Sequence, residues 1–309
     1  MTEKLSPIER ALVASASMPA HAARQVLMLI CSAGMTTDKP VPQFQQSEEG
    51  AAHFDKRRKF IDRMKSATDR CLNYAKHETL RKVEKHFRDN PSFIASADEP
   101  KNLSESLTFD RKLFADELIA ALKEEQAAAL QRAGQGLFDE VKEADPFKLT
   151  DKQVFAFIKN RENLLANVPD EIHATIMQTI HEGLEQGEGR RELMQRISAA
   201  FDEIGRGRAE TIANTETAAA FNFAREKAMK KAGVTHKKWL HSMSPLIKEP
   251  RPTHLEADGQ IVPIDEPFDI GGVAMLRPGD ESAGPEEIIN CNCVAIPVES
   301  PLQSEHLEK

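Results

Sequence analysis

The chain has 309 residues, 40% of them hydrophobic and 29% charged, with a net charge of −8. That length admits roughly two domains, and a single Trp and a single Tyr favour helical layers of Leu, Ile, Ala and Phe over a large β-sandwich. The acidic balance excludes a body built to wrap duplex nucleic acid, which needs a concentrated cationic surface. Four cysteines, with Cys31 and Cys71 isolated, exclude a disulfide framework and point to a reducing compartment.

Residues 1–50 read as an apolar arm and linker. Pro7–Ala14 and Ala20–Cys31 have the makings of short helices, and Pro40 and Pro42 mark the linker. The run Val26–Ile30 is too short for a membrane span and follows Arg24, so no membrane association is expected. Residues 51–168 read as a helical region. Phe54, Phe60, Ile61, Met64, Leu72, Leu80, Val83 and Phe87 recur at helical spacing over 53–88. The basic start, Lys56-Arg57-Arg58-Lys59, reads as a solvated helix face. Asn90-Pro91 and Asp98-Glu99-Pro100 make 89–109 a break. Leu113–Lys142 is again helical, weakened near its end by Gly134 and Gly136, and a further helix follows Thr150.

From 169 onward the pattern changes. Ile172, Ile176, Ile180 and Leu184 form an amphipathic stripe, and Gly187 and Gly189 turn the chain into a second helix ending near Ile204-Gly205. Gly205-Arg206-Gly207-Arg208 lacks the spacing of a phosphate loop and reads as a turn leading into a separate long helix, Arg208–Lys231. On that helix Ile212, Glu216, Ala219 and Phe223 share a stripe, so Glu216 lies within the apolar face. A carboxylate there requires a partner. Arg251 is the expected one and Arg208 the local alternative, while Thr215 and Asn222 flank the stripe, placed to hydrogen-bond the incoming tail.

The tail, Trp239–Pro297, reads as a small, loop-heavy β unit. Its turns are Asp258-Gly259, Gly271-Gly272 and Arg277-Pro278-Gly279-Asp280. A unit of this size is marginal alone and is expected to lie on the long helix. Cys291 and Cys293, two apart, would share one face of an extended strand. His254 is the third candidate ligand, with His241, His236, Asp258 or Asp280 as the fourth, and zinc suits thiolate and imidazole donors. The alternatives are two buried thiols beside a hydrogen-bonded His, a Cys–His nucleophile, or a divalent-ion hydrolase built on a His with Asp258 and Asp280. No helix N-terminus or oxyanion donor is legible behind either Cys, so no catalytic residue is assigned and the chain is read as a non-enzyme. Residues 299–309 read as a flexible tail.

One ordered set of pieces carries a resemblance. It comprises Arg208 to Glu216, Asn222, Trp239, Arg251 to His254, Asp258-Gly259, Phe268, Pro278-Gly279-Asp280 and Glu287 to Cys293. This text resembles the phage Mu gpF-like family, also called the phage head morphogenesis or minor head protein family, over Ala174–Pro297, making 169–298 the family domain. Asn214 and Asn292 stand where the family usually has Arg. The elements read above make an α+β chain, mainly helical in its N-terminal and middle region, with a small β-rich C-terminal unit packed on a long helix. The resemblance implies a minor capsid protein of a phage or prophage, found in the virion and, during assembly, in the host cytoplasm. The expected partners are the portal protein and the major capsid or scaffold protein. The alternative is an internal head protein with weak DNA contact through residues 56–59, 190–191 and 227–231.

Overall fold

The computed structural model describes residues 48–93, 100–242 and 250–298. The arm helices, the linker before residue 48 and the tail 299–309 lie outside the described residues. The described residues belong to one compact unit that begins at Gln46.

Six helices form the platform: α1 (Glu48–Asp89), α2 (Pro100–Leu107), α3 (Arg111–Glu140), α4 (Asp151–Leu165), α5 (Val168–Glu185) and α6 (Arg190–Lys231). Local chemistry sets their ends. The Asp110 carboxylate accepts from Leu113 N–H at the start of α3, and Thr150 and Gln153 form a reciprocal capping box on α4. Two expectations are corrected here. The break at 89–109 contains α2, because Pro100 occupies a first helical position, where its missing N–H costs nothing. The expected turn at Gly205–Arg208 does not exist, and α6 runs unbroken for 42 residues, about 63 Å. Leu193, Ile197 and Phe201 on one side of the glycines, and Ala209, Ile212 and Ala213 on the other, are all buried in one core. That packing outweighs the roughly 1 kcal/mol cost of each helical glycine. Gly134 also does more than weaken α3, since the Phe147 ring fills the space where its side chain would be.

The C-terminal unit holds β1 (His236–Leu240), α7 (Pro252–Glu256), β2 (Ile261–Pro263), β3 (Phe268–Ile270), β4 (Val273–Met275), α8 (Pro285–Ile288) and β5 (Val294–Val298). β1 is the centre of an antiparallel sheet of order β2-β1-β5, and β3 and β4 form a hairpin. Alternation along β1 sends Lys237 and Trp239 inward. Trp239 is fully buried, edge-on to Phe268 at 5.3 Å. The core beneath this sheet also takes Leu137, Phe138, Ala228 and Met229 from α3 and α6, as a unit too small to bury its own faces requires. The chain is thus α+β, mainly helical, with a small β-rich C-terminal unit seated on the long helix.

Candidate metal centre

His254 lies in α7, a one-turn helix started by Pro252, and its side chain points beneath the sheet. Its Nδ1 is 3.5 Å from Cys293 Sγ and 3.7 Å from Cys291 Sγ, and the three candidate ligand atoms lie within 4.8 Å of one another. All three residues are at most 2% exposed. Both cysteines lie in an irregular segment just ahead of β5 and outside the strand in which the spacing placed them. Asn290, left-handed at φ 57°, ends the turn before this segment, and the Asn222 side chain holds the chain where the segment enters β5. Asn222 Nδ2 donates to the Cys293 carbonyl at 3.0 Å, and its Oδ1 accepts from Ala295 N–H at 3.1 Å.

Glu287, on α8, contacts His254 Nε2 at 2.8 Å. A carboxylate there fixes the Nε2–H tautomer and leaves the Nδ1 lone pair facing the sulfurs. Trp239 stands edge-on to the imidazole at 5.5 Å. Without a metal, Cys291 is drawn well below the usual thiol range, first by a hydrogen bond from Cys293 and then by His254. Burial, together with its neighbour's charge, pushes Cys293 well above that range. Burial alone would push the His254 imidazole down, but the Cys291 contact raises it. The two thiols are thus driven in opposite directions, with His254 on the side of the more acidic one.

The candidate fourth ligands do not join the cluster. Asp258 caps His241 N–H at 2.7 Å, Asp280 closes its own turn on the N–H groups of Leu276 and Ser282, and the His236 ring contacts Thr235. His241 lies close enough to feel the charges of His254 and Cys291, and burial pushes its imidazole down.

The other expected residues either seat the unit on α6 or tie it together internally. Thr215 Oγ1 accepts from Asn290 N–H at 2.9 Å. Arg251 Nη2 donates to the Ile289 carbonyl at 2.6 Å, and Gly259 N–H bonds the Trp239 carbonyl. Pro278 is buried, and Gly279, at φ 73°, lies so near that a Cβ on it would come 3.3 Å from Ala219 Cα. Beside this turn Arg277 binds the buried Glu226 at 3.0 Å and also Glu281. The expected partner of Glu216 is corrected. Arg161 of α4 takes both its oxygens, at 2.6 and 2.9 Å, and Gln126 of α3 adds a bond at 2.9 Å. Arg251 is committed to Ile289, and Arg208 pairs with Glu171 on the surface instead. Arg57 is a second correction. It is buried with Nη2 on the Asn292 carbonyl at 2.7 Å, while its neighbours Arg58 and Lys59 are exposed.

A long-helix platform carrying a β unit that brings one His beside a Cys-x-Cys segment defines the structural class. Residues 174–296 match the family described as Phage Mu protein F like protein. The resemblance read in the sequence agrees with this match over that segment. The chain is also similar to the protein named "Uncharacterized protein YqbB" of Bacillus subtilis (strain 168), 28% identical over 229 residues, covering 71% of this chain and 74% of the relative. No solved structure matches the chain. Among the described residues no helix is long and apolar enough to cross a membrane.

Proposed function

We propose that the chain is a minor capsid, head-morphogenesis protein of a bacteriophage or prophage. It binds the portal protein and the major capsid or scaffold protein during head assembly, in the host cytoplasm, and is carried in the virion. It turns over no substrate. The similarity of residues 174–296 to the Phage Mu protein F like family carries this reading. The enclosure of His254, Cys291 and Cys293 supports it, because residues at most 2% exposed suit holding better than reacting.

Within this reading the cluster is a zinc staple. A tetrahedral zinc with Zn–S of about 2.3 Å and Zn–N of about 2.0–2.1 Å separates S from N by about 3.6 Å. The Nδ1–Sγ separations here are 3.5 and 3.7 Å. His254, Cys291 and Cys293 would hold the ion and Glu287 would orient His254, which is the carboxylate–histidine arrangement of metal sites. A bound zinc would tie α7 to the segment before β5 and so close a unit that is small for its core.

Incubating the purified chain with portal, capsid and scaffold proteins, at low and high salt, tests the assembly role. Retention that persists at high salt is the expected result. Retention of DNA that falls steeply with salt would favour the internal, DNA-associated alternative. Retention by none of these partners would contradict the proposal.

A further inference from the structure

Arg57 stands 235 positions before Asn292, yet the helical front delivers it to the backbone of the Cys-Asn-Cys segment. It is 2% exposed. One of its nitrogens, Nη2, donates to the Asn292 carbonyl, while the buried Nε and Nη1 have no hydrogen-bond partner among the described residues. A buried guanidinium without a counter-charge is strongly unfavourable. Glu140, on the neighbouring α3, is taken by Lys56 and Arg225. The groups beside Arg57 that can carry a compensating negative charge are Cys291 and Cys293, while burial and the Arg225 charge disfavour its charged form.

We propose that Arg57 is a positioning residue of the metal centre. It holds the Cys-Asn-Cys segment through the Asn292 carbonyl and supplies positive charge beside the two cysteines, coupling metal occupancy to the seating of α1 on the C-terminal unit. This rests on the zinc reading above. Two thiolates and a neutral imidazole cancel the charge of a divalent ion. The Glu287 carboxylate at His254 and the Arg57 guanidinium at Asn292 then balance each other across the site. Charged donors of this kind strengthen the thiolate form and fix ligand orientation.

The test uses the full chain with Co(II), read by sulfur-to-cobalt charge-transfer absorption, and with Zn(II), read by competition against a chelator. Arg57→Gln keeps a donor for the Asn292 carbonyl and removes the charge. Its affinity is expected to fall about 10- to 100-fold, with the two-thiolate spectrum retained, and Arg57→Lys is expected to recover part of the loss. Affinity unchanged in Arg57→Gln would overturn the proposal. Amide exchange in the unaltered protein gives a second reading that needs no variant. Adding metal is expected to slow exchange around Arg57 as well as at residues 291–293, and slowing confined to 291–293 would overturn the coupling. Wild-type protein that binds neither metal would overturn the zinc reading instead.

Discussion

Arg161 closes on Glu216 with two hydrogen bonds, at 2.6 and 2.9 Å, inside the helical core, where the two side chains are 1% and 4% exposed. The pair ties α4 to α6, and Gln126 of α3 joins it. Removing one partner leaves the other buried and uncompensated, which costs about 3–5 kcal/mol. Glu216→Ala is expected to lose that much in urea denaturation, and replacing both residues with apolar ones of similar volume is expected to recover most of it. Equal losses in the single and double variants would contradict this account.

Glycines at two places on or against α6 are expected to respond with opposite signs. Gly279 is left-handed, with Ala219 Cα 3.3 Å from where its Cβ would stand. Gly279→Ala should therefore destabilise by about 1–2 kcal/mol for the backbone alone, and more if the turn lifts off α6. Gly205 lies mid-helix with nothing near its Cβ position, so Gly205→Ala should stabilise by about 0.5–1 kcal/mol. Thermal midpoints of the two variants check both signs.

Asn222 spans the start of β5 by bonding both the Cys293 carbonyl and Ala295 N–H. Asn222→Ala leaves buried backbone groups unsatisfied and is expected to cost about 1–3 kcal/mol. Amide exchange should then accelerate at Ala295. Unchanged protection there would show that the sheet alone holds the strand.

Acid is expected to weaken the junction of α1, α3 and α6. Burial, and next the Arg225 charge, push the His53 imidazole from 6.5 down to about 3. Between those values the unfolded chain binds a proton at His53 that the folded chain does not, so the contribution is full above pH 6.5 and is lost as pH falls toward 3. Burial pushes Glu140 up, but Arg225 and Lys56 together outweigh it and hold this carboxyl at about 2, against an ordinary 4.5. Its contribution is present above pH 4.5 and is lost as pH falls through 2. Denaturation of wild type and His53→Gln at pH 7 and pH 5 isolates the histidine. The wild type is expected to lose about 2 kcal/mol more than the variant over that interval, and parallel losses would contradict the assignment.

The sequence exposed the helical platform, the β-rich tail and the His–Cys convergence, because each rests on local periodicity or on a few turn residues. It also exposed Glu216 as a polar residue on an apolar stripe. The same signal was present in three other places. Arg57 follows Phe54 and precedes Ile61 and Met64, Gln126 continues Leu118 and Leu122, and Arg161 sits between Phe157 and Leu165. All four polar side chains are buried. Periodicity marks such a residue as buried but does not say which distant one meets it, because partner choice depends on how the helices cross. Choosing Arg251 for Glu216 failed for that reason, and so did reading Arg57 as part of a solvated basic run. Gly205 and Gly207 misled in the opposite way, since long-range packing on both sides carried α6 through a locally poor helical segment.

The proposed metal staple of His254, Cys291 and Cys293 ties α7 to the segment before β5 and so closes the C-terminal unit on itself. Metal analysis of the purified full chain, beside a Cys291→Ser, Cys293→Ser variant, tests it most directly. One zinc per chain in the wild type and none in the variant, with lower stability of the variant, is the predicted result. A metal-free wild type whose two thiols react readily while the fold stays intact would contradict it.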